Sequence, residues 1–177
     1  MIHEVHPWML ELDLSEFDVL TFDDGLYSQY KNYKHFLKFN KPMYFFICTG
    51  SICPDETYQN NEVISCDDAH ELFFDYGDRT NYMRWSQIKE IHQTENCFIG
   101  GHSHYHPHLR NHKMLDQTLL IKADVQEMMA EFKKNDIKID SFCYPYNYQA
   151  MGWQHYTQKH GVNKYFGSER TPIEDLK

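Results

Sequence analysis

The chain has 177 residues, enough for one sizeable core but short of a full eight-stranded barrel, and it reads as a single domain over 1–177. A hydrophobic content of 41% and an aromatic content of 16% exclude a disordered chain. A net charge of −9 excludes nucleic acid or an anionic membrane as the main partner, because either needs a basic footprint.

Residues Met1 to Glu11 lack the apolar core of a signal peptide, and no run is long enough to span a bilayer. The cysteines (Cys48, Cys53, Cys66, Cys97, Cys143) are scattered and form no CxxC pair. That argues against a disulfide framework or a zinc finger and for a reduced, cytoplasmic setting without membrane insertion.

Residues 1–17 carry no periodic signal. Val19 to Phe22 reads as a buried strand, continuously apolar or β-branched. Leu26, Tyr30, Tyr33 and Leu37 then recur at helical spacing and stop near Asn40, ahead of a second apolar strand at Met43–Cys48. Strand, helix, strand with fully apolar strands marks a parallel βαβ unit. From about 49 to 82 the pattern dissolves into a long insertion with a short helix at Asp67–Phe74, read either as a wall of the substrate site or as a tolerated surface excursion.

Order resumes with a helix bearing Trp85, Ile88 and Ile91 and a strand at Cys97–Gly100. Ile121, Val125, Met128 and Phe132 mark an amphipathic helix, with Asp116 expected as its N-cap. A strand at Ile139–Tyr144, a helix at Gln149–His160 ending at Gly161 and a strand at Asn163–Phe166 complete the chain. The predicted class is α/β, a barrel or an open parallel sheet.

Two carboxylates, Asp23 and Asp24, end the first strand, with Gly25 to release the chain. Neighbours on an extended backbone point opposite ways, so the pair suggests one metal ligand and one general base. An ordinary Asp-Gly turn carrying an incidental second acid would look the same. The stretch His102-Ser103-His104-Tyr105-His106-Pro107-His108 concentrates imidazoles, the commonest ligands for zinc-like metals. On an extended chain His102 and His106 would lie roughly 13 Å apart. A helical turn after Gly101 would bring residues four apart within about 6 Å. We therefore expect His102 and His106 to clamp one ion, with Asp24 as third ligand, leaving positions open for water and substrate. The competing reading is a solvated histidine loop. His3, His6, His35, His70, His92, His108 and His112 are expected at the surface, and Cys143 in the core.

These pieces resemble the NodB-type polysaccharide deacetylases, carbohydrate esterase family four. Thr21-Phe22-Asp23-Asp24-Gly25 looks like that family's first motif and His102-Ser103-His104-Tyr105-His106-Pro107 its second; Phe142-Cys143-Tyr144-Pro145-Tyr146-Asn147 is similar to the third. The resemblance implies a shortened, distorted (β/α) barrel and a metal-dependent carbohydrate N-deacetylase. Such an enzyme removes an N-acetyl or other small acyl group from an amino sugar or glycan intermediate.

It further implies that Asp24, His102 and His106 hold a divalent metal, most often Zn2+, and that Asp23 is the base that deprotonates the attacking water. The backbone N–H of Tyr146 would hold the oxyanion. Three departures stand out: Cys143 occupies the place of a usual arginine, for which Arg170 is a substitute; Asn147 replaces a glycine; and no late Leu-x-His segment supplies a general acid. They leave room for two alternatives, a degenerate glycan-binding relative and a metal-dependent hydrolase of another small amide.

Overall fold

A computed structural model describes residues 1–176. Five strands, β1 (Leu20–Phe22), β2 (Met43–Ile47), β3 (Cys97–Gly101), β4 (Ser141–Cys143) and β5 (Lys164–Phe166), form one sheet in the order β1-β2-β3-β4-β5. Among the described residues five α-helices lie between them in sequence: α1 (Tyr27–Phe36) after β1, α2 (Cys66–Tyr76) and α3 (Trp85–His92) after β2, α4 (Met114–Lys134) after β3 and α5 (Met151–Thr157) after β4. The α/β class predicted from the apolar strands is the one observed. No helix among the described residues is long and apolar enough to cross a membrane.

By its contacts the chain divides into two compact units. The first comprises Met1–Phe45, Ser51–Phe98 and the tail from Thr171. Here β1 pairs parallel with β2, Leu20 opposite Met43 and Phe22 opposite Phe45. The Phe22 and Phe45 rings stack at 4.5 Å, and Tyr33 and Phe36 of α1 close over them. These fully buried rings explain why the strand sequences show no alternation: both faces are covered.

The featureless amino terminus adds a bridge to β1, with Ile2 N–H donating to Thr21 O at 2.8 Å and Asp23 N–H to Ile2 O at 2.9 Å. The 49–82 stretch is only partly loop. Ser65 caps α2 by accepting the Asp68 N–H, and Gly77 ends it at φ 70°. Ala69 of α2 is buried against Leu26 and Tyr82, so this helix belongs to the first unit's core.

The second unit comprises Phe46–Gly50 and Ile99–Arg170. β4 pairs parallel with β3 and with β5, Gly101 opposite Phe142 and Phe142 opposite Tyr165. α4 buries Ile121, Val125, Met128 and Phe132 as its spacing predicts, together with Asp124. Its start differs from expectation. Lys113 occupies the N-cap position and Asp116 lies inside the first turn, where a carboxylate still favours the positive end of the helix dipole. Trp153 of α5 is fully buried against Phe142 of β4 at 5.2 Å.

Candidate functional site

In the first unit the chain leaves β1 through Asp23 and Asp24, both about 2% exposed. Asp24 at φ 71° and Gly25 at φ 78° turn the backbone sharply away from the strand. Aspartate tolerates this left-handed conformation better than most side chains. Around the Asp24 carboxylate, the Cys66 thiol donates to Oδ2 at 3.2 Å, His70 Nε2 lies 3.4 Å from Oδ1, and His3 Nε2 lies 3.9 Å from Oδ2.

Burial, reinforced by the Asp24 charge, pushes the Cys66 thiol far above its ordinary value. His70 is expected from the sequence at the surface, but its side chain is only 14% exposed. The packing of Ala69 on Leu26 and Tyr82 seats α2 so that Cys66 and His70, one turn apart, face Asp24. That Cys-x-x-x-His spacing was the available signal, although the helix expected at Asp67–Phe74 starts one residue after Cys66.

In the second unit His102 follows β3, its N–H donating to Ile47 O at 3.0 Å. Its Nδ1 lies 2.9 Å from Cys143 O. A carbonyl can only accept, so Nδ1 carries the proton and Nε2 presents a lone pair. His106 is brought back without the expected helical turn. Ser103 (φ 71°) and His106 (φ 49°) are both left-handed, and Ser103 Oγ accepts the His106 N–H at 2.9 Å. This places the two Nε2 atoms 3.2 Å apart on buried rings.

Two nitrogen ligands of a tetrahedral ion, each about 2.0–2.1 Å from it, sit about 3.3 Å apart. The pair therefore fits a divalent cation, and the Nδ1–carbonyl bond is the outer contact that orients a ligating imidazole. His104 points elsewhere, its Nδ1 2.8 Å from Thr49 Oγ1.

Asp124 was not anticipated from the sequence. Its carboxylate accepts the backbone N–H groups of His104 and Tyr105, both at 2.8 Å, and so pins the histidine turn to α4. Burial outweighs those two bonds and pushes its carboxyl up to about 6. An acid three residues after Ile121 and beside Val125, on the apolar face of α4, was the sign of it.

The third motif follows β4. Tyr146 (φ 54°) and Asn147 (φ 53°) are again left-handed, and the Tyr146 ring lies 4.4 Å from His106 and stacks on His108 at 3.7 Å. His108 itself is exposed, as expected. Cys143 is in the core as expected. Arg170 Nη2 donates to Cys143 Sγ at 3.0 Å and to Asn147 Oδ1 at 3.2 Å, which brings a guanidinium beside the position where the motif usually carries one.

The polysaccharide deacetylase family model matches residues 16–165. No curated protein sequence matches the chain significantly. Among solved structures, IcaB from Ammonifex degensii superimposes with a TM-score of 0.62 at 21% identity, over 88% of this chain and 60% of that one. The BpsB deacetylase domain from Bordetella bronchiseptica gives 0.61 at 17% identity, over 85% and 63%. A de-N-acetylase from Aggregatibacter actinomycetemcomitans gives 0.62 at 16% identity, over 84% and 62%. The chain thus spans about three-fifths of the length of these structures. At such identities the likeness is one of fold, the distorted (β/α) barrel type. With the family model covering the stretch from before β1 into β5, this chain belongs to the polysaccharide deacetylase family.

Proposed function

We propose that the protein is a metal-dependent hydrolase that removes an N-acetyl group from an amino sugar or glycan intermediate. The observation that carries this reading is the buried His102/His106 pair, with Nε2 atoms 3.2 Å apart and His102 locked in one tautomer by Cys143 O. In this reading Asp24 joins the two imidazoles to hold the ion, which we take to be Zn2+. When bound, a divalent cation there supplies Lewis acidity to a carbonyl and to water.

The chain's own residues do the rest. Asp23, buried and adjacent to Asp24, accepts the proton of the attacking water. The backbone N–H of Tyr146, held by a left-handed turn, donates to the oxyanion as it forms, and such preorganised donors contribute strongly to acyl-transfer catalysis. The Tyr146 ring and Pro145 line the acyl pocket. Arg170, beside Cys143 and Asn147, serves in place of the motif arginine.

The test is acetate release from N-acetylated amino sugars, with and without chelator, in the wild type and in Asp23→Asn. We expect turnover that chelator abolishes and that the variant loses. Turnover untouched by either treatment would refute the assignment.

A further inference from the structure

We propose that the first unit carries a second metal site, formed by the Asp24 carboxylate, the Cys66 sulfur and the His70 imidazole, which takes a soft divalent cation such as Zn2+ and releases the Cys66 proton to solvent as the cation binds. The site shares Asp24 with the reading above but needs neither His102 nor His106.

The geometry comes from two short segments. Cys66 and His70 lie one turn apart at the start of α2, the spacing at which helical side chains converge. The helix is anchored there twice: Ser65 caps it, and the Cys66 N–H donates to Glu4 Oε2 at 3.2 Å. Cys66 Sγ is 3.2 Å from Asp24 Oδ2, and His70 Nε2 is 3.4 Å from Asp24 Oδ1. One ligand atom from each of the three residues lies within 4.8 Å of the other two. Sulfur at about 2.3 Å and nitrogen or oxygen at about 2.0–2.2 Å from a tetrahedral ion are separated by roughly 3.3–3.6 Å, so a small side-chain rotation seats all three.

His3 Nε2, partly exposed, lies 3.9 Å from the same carboxylate but outside the group of three. The donor set is selective. A thiolate with an imidazole and one carboxylate favours zinc-like ions over Mg2+ or Ca2+, which take oxygen ligands. Buried Tyr82 stacks against the His70 ring at 6.4 Å and limits its rotation.

The experiment is a Co2+ titration of the metal-stripped full chain under reducing conditions, read by the near-ultraviolet thiolate-to-cobalt charge-transfer band that only a sulfur-bound ion produces. The band is expected in the wild type and in the His102→Ala/His106→Ala double variant. It should be lost in Cys66→Ser, and His70→Ala should weaken Co2+ binding by about tenfold or more. Three results would overturn the proposal: a saturated wild type without the band, a band that survives Cys66→Ser, or a band that disappears with the histidine pair. Failure of acetate release would sink the preceding reading and leave this one standing.

Discussion

Gly100 and Gly101 end β3 directly before His102, and a methyl group added to each meets different neighbours. At Gly100 the new Cβ would lie 2.6 Å from two carbons of the Phe46 ring and 2.7 Å from Ser141 Oγ. Phe46 cannot retreat: it is fully buried and packed on Phe166 at 4.9 Å. Ser141 belongs to β4 and is equally buried. At Gly101 the nearest atom is Met128 Sδ at 2.7 Å, followed by the ends of the Met128 and Ile139 side chains at 3.1 Å. An unbranched thioether can swing aside.

Overpacking a rigid site costs about 1–3 kcal/mol, and replacing glycine with alanine returns roughly 0.4–1 kcal/mol by restricting the unfolded chain. Gly100→Ala should therefore lose about 1–2 kcal/mol net, a fall in Tm of about 2–8 °C for a chain of this length. Gly101→Ala should lose less than about 1 kcal/mol. Urea unfolding with an unchanged m-value measures both. Gly100→Ala within about 0.5 kcal/mol of wild type, or Gly101→Ala as the more damaging change, would show that the packing around β3 is not as described.

Two further outcomes are expected. His102→Ala should slow acetate release by on the order of a thousandfold, because a Lewis acid contributes several kcal/mol and each 1.4 kcal/mol or so is tenfold; steady-state rates at saturating Zn2+ check it. Asp124 has its carboxyl raised from 3.8 to about 6, so the folded state holds this proton more tightly than the unfolded chain. Its contribution to stability is full below pH 3.8 and is lost as the pH rises through about 6, a change of roughly 3 kcal/mol. Urea melts at several pH values across that window, with and without Asp124→Asn, should show this slope flattened in the variant.

Much of the frame was legible because it is written in side chains. Strands covered on both faces read as unbroken apolar runs, and α4 shows its buried stripe at Ile121, Val125, Met128 and Phe132. The histidine pair was legible too, since four histidines within seven residues point to ligation far more readily than to packing. The means of joining them was not. A helical turn is the default way to bring residues four apart together, and only the backbone shows that Ser103 and His106 do it with positive φ. The Ile2 bridge to β1 was hidden for a related reason: it consists of main-chain hydrogen bonds, which leave no side-chain signature. Asp124 and His70 were missed because a charged or titratable residue on a helix reads as solvated until its neighbours are known.

Backbone conformation adds an argument that neither motifs nor packing supply. Among the described residues, eight other than glycine have positive φ. Asn40, Asn96 and Asp136 are residues that adopt it readily, and two of them lie just past a helix, at the ends of the turn after α1 and of α4. The other five are Asp24, Ser103, His106, Tyr146 and Asn147, all within the three motifs that carry the proposed chemistry. For serine and tyrosine this conformation costs on the order of 1–3 kcal/mol each and persists only where the surroundings over-determine it. They do so here. Ser103 O accepts the Thr49 N–H at 3.1 Å while its Oγ holds the His106 N–H, and the Tyr146 ring is clamped between His106 and His108. A chain selected for stability alone would place glycine or asparagine at 103 and 146. Keeping bulkier residues there makes sense when the direction of the neighbouring side chain, an imidazole in one case and a backbone donor in the other, is what the turn exists to set.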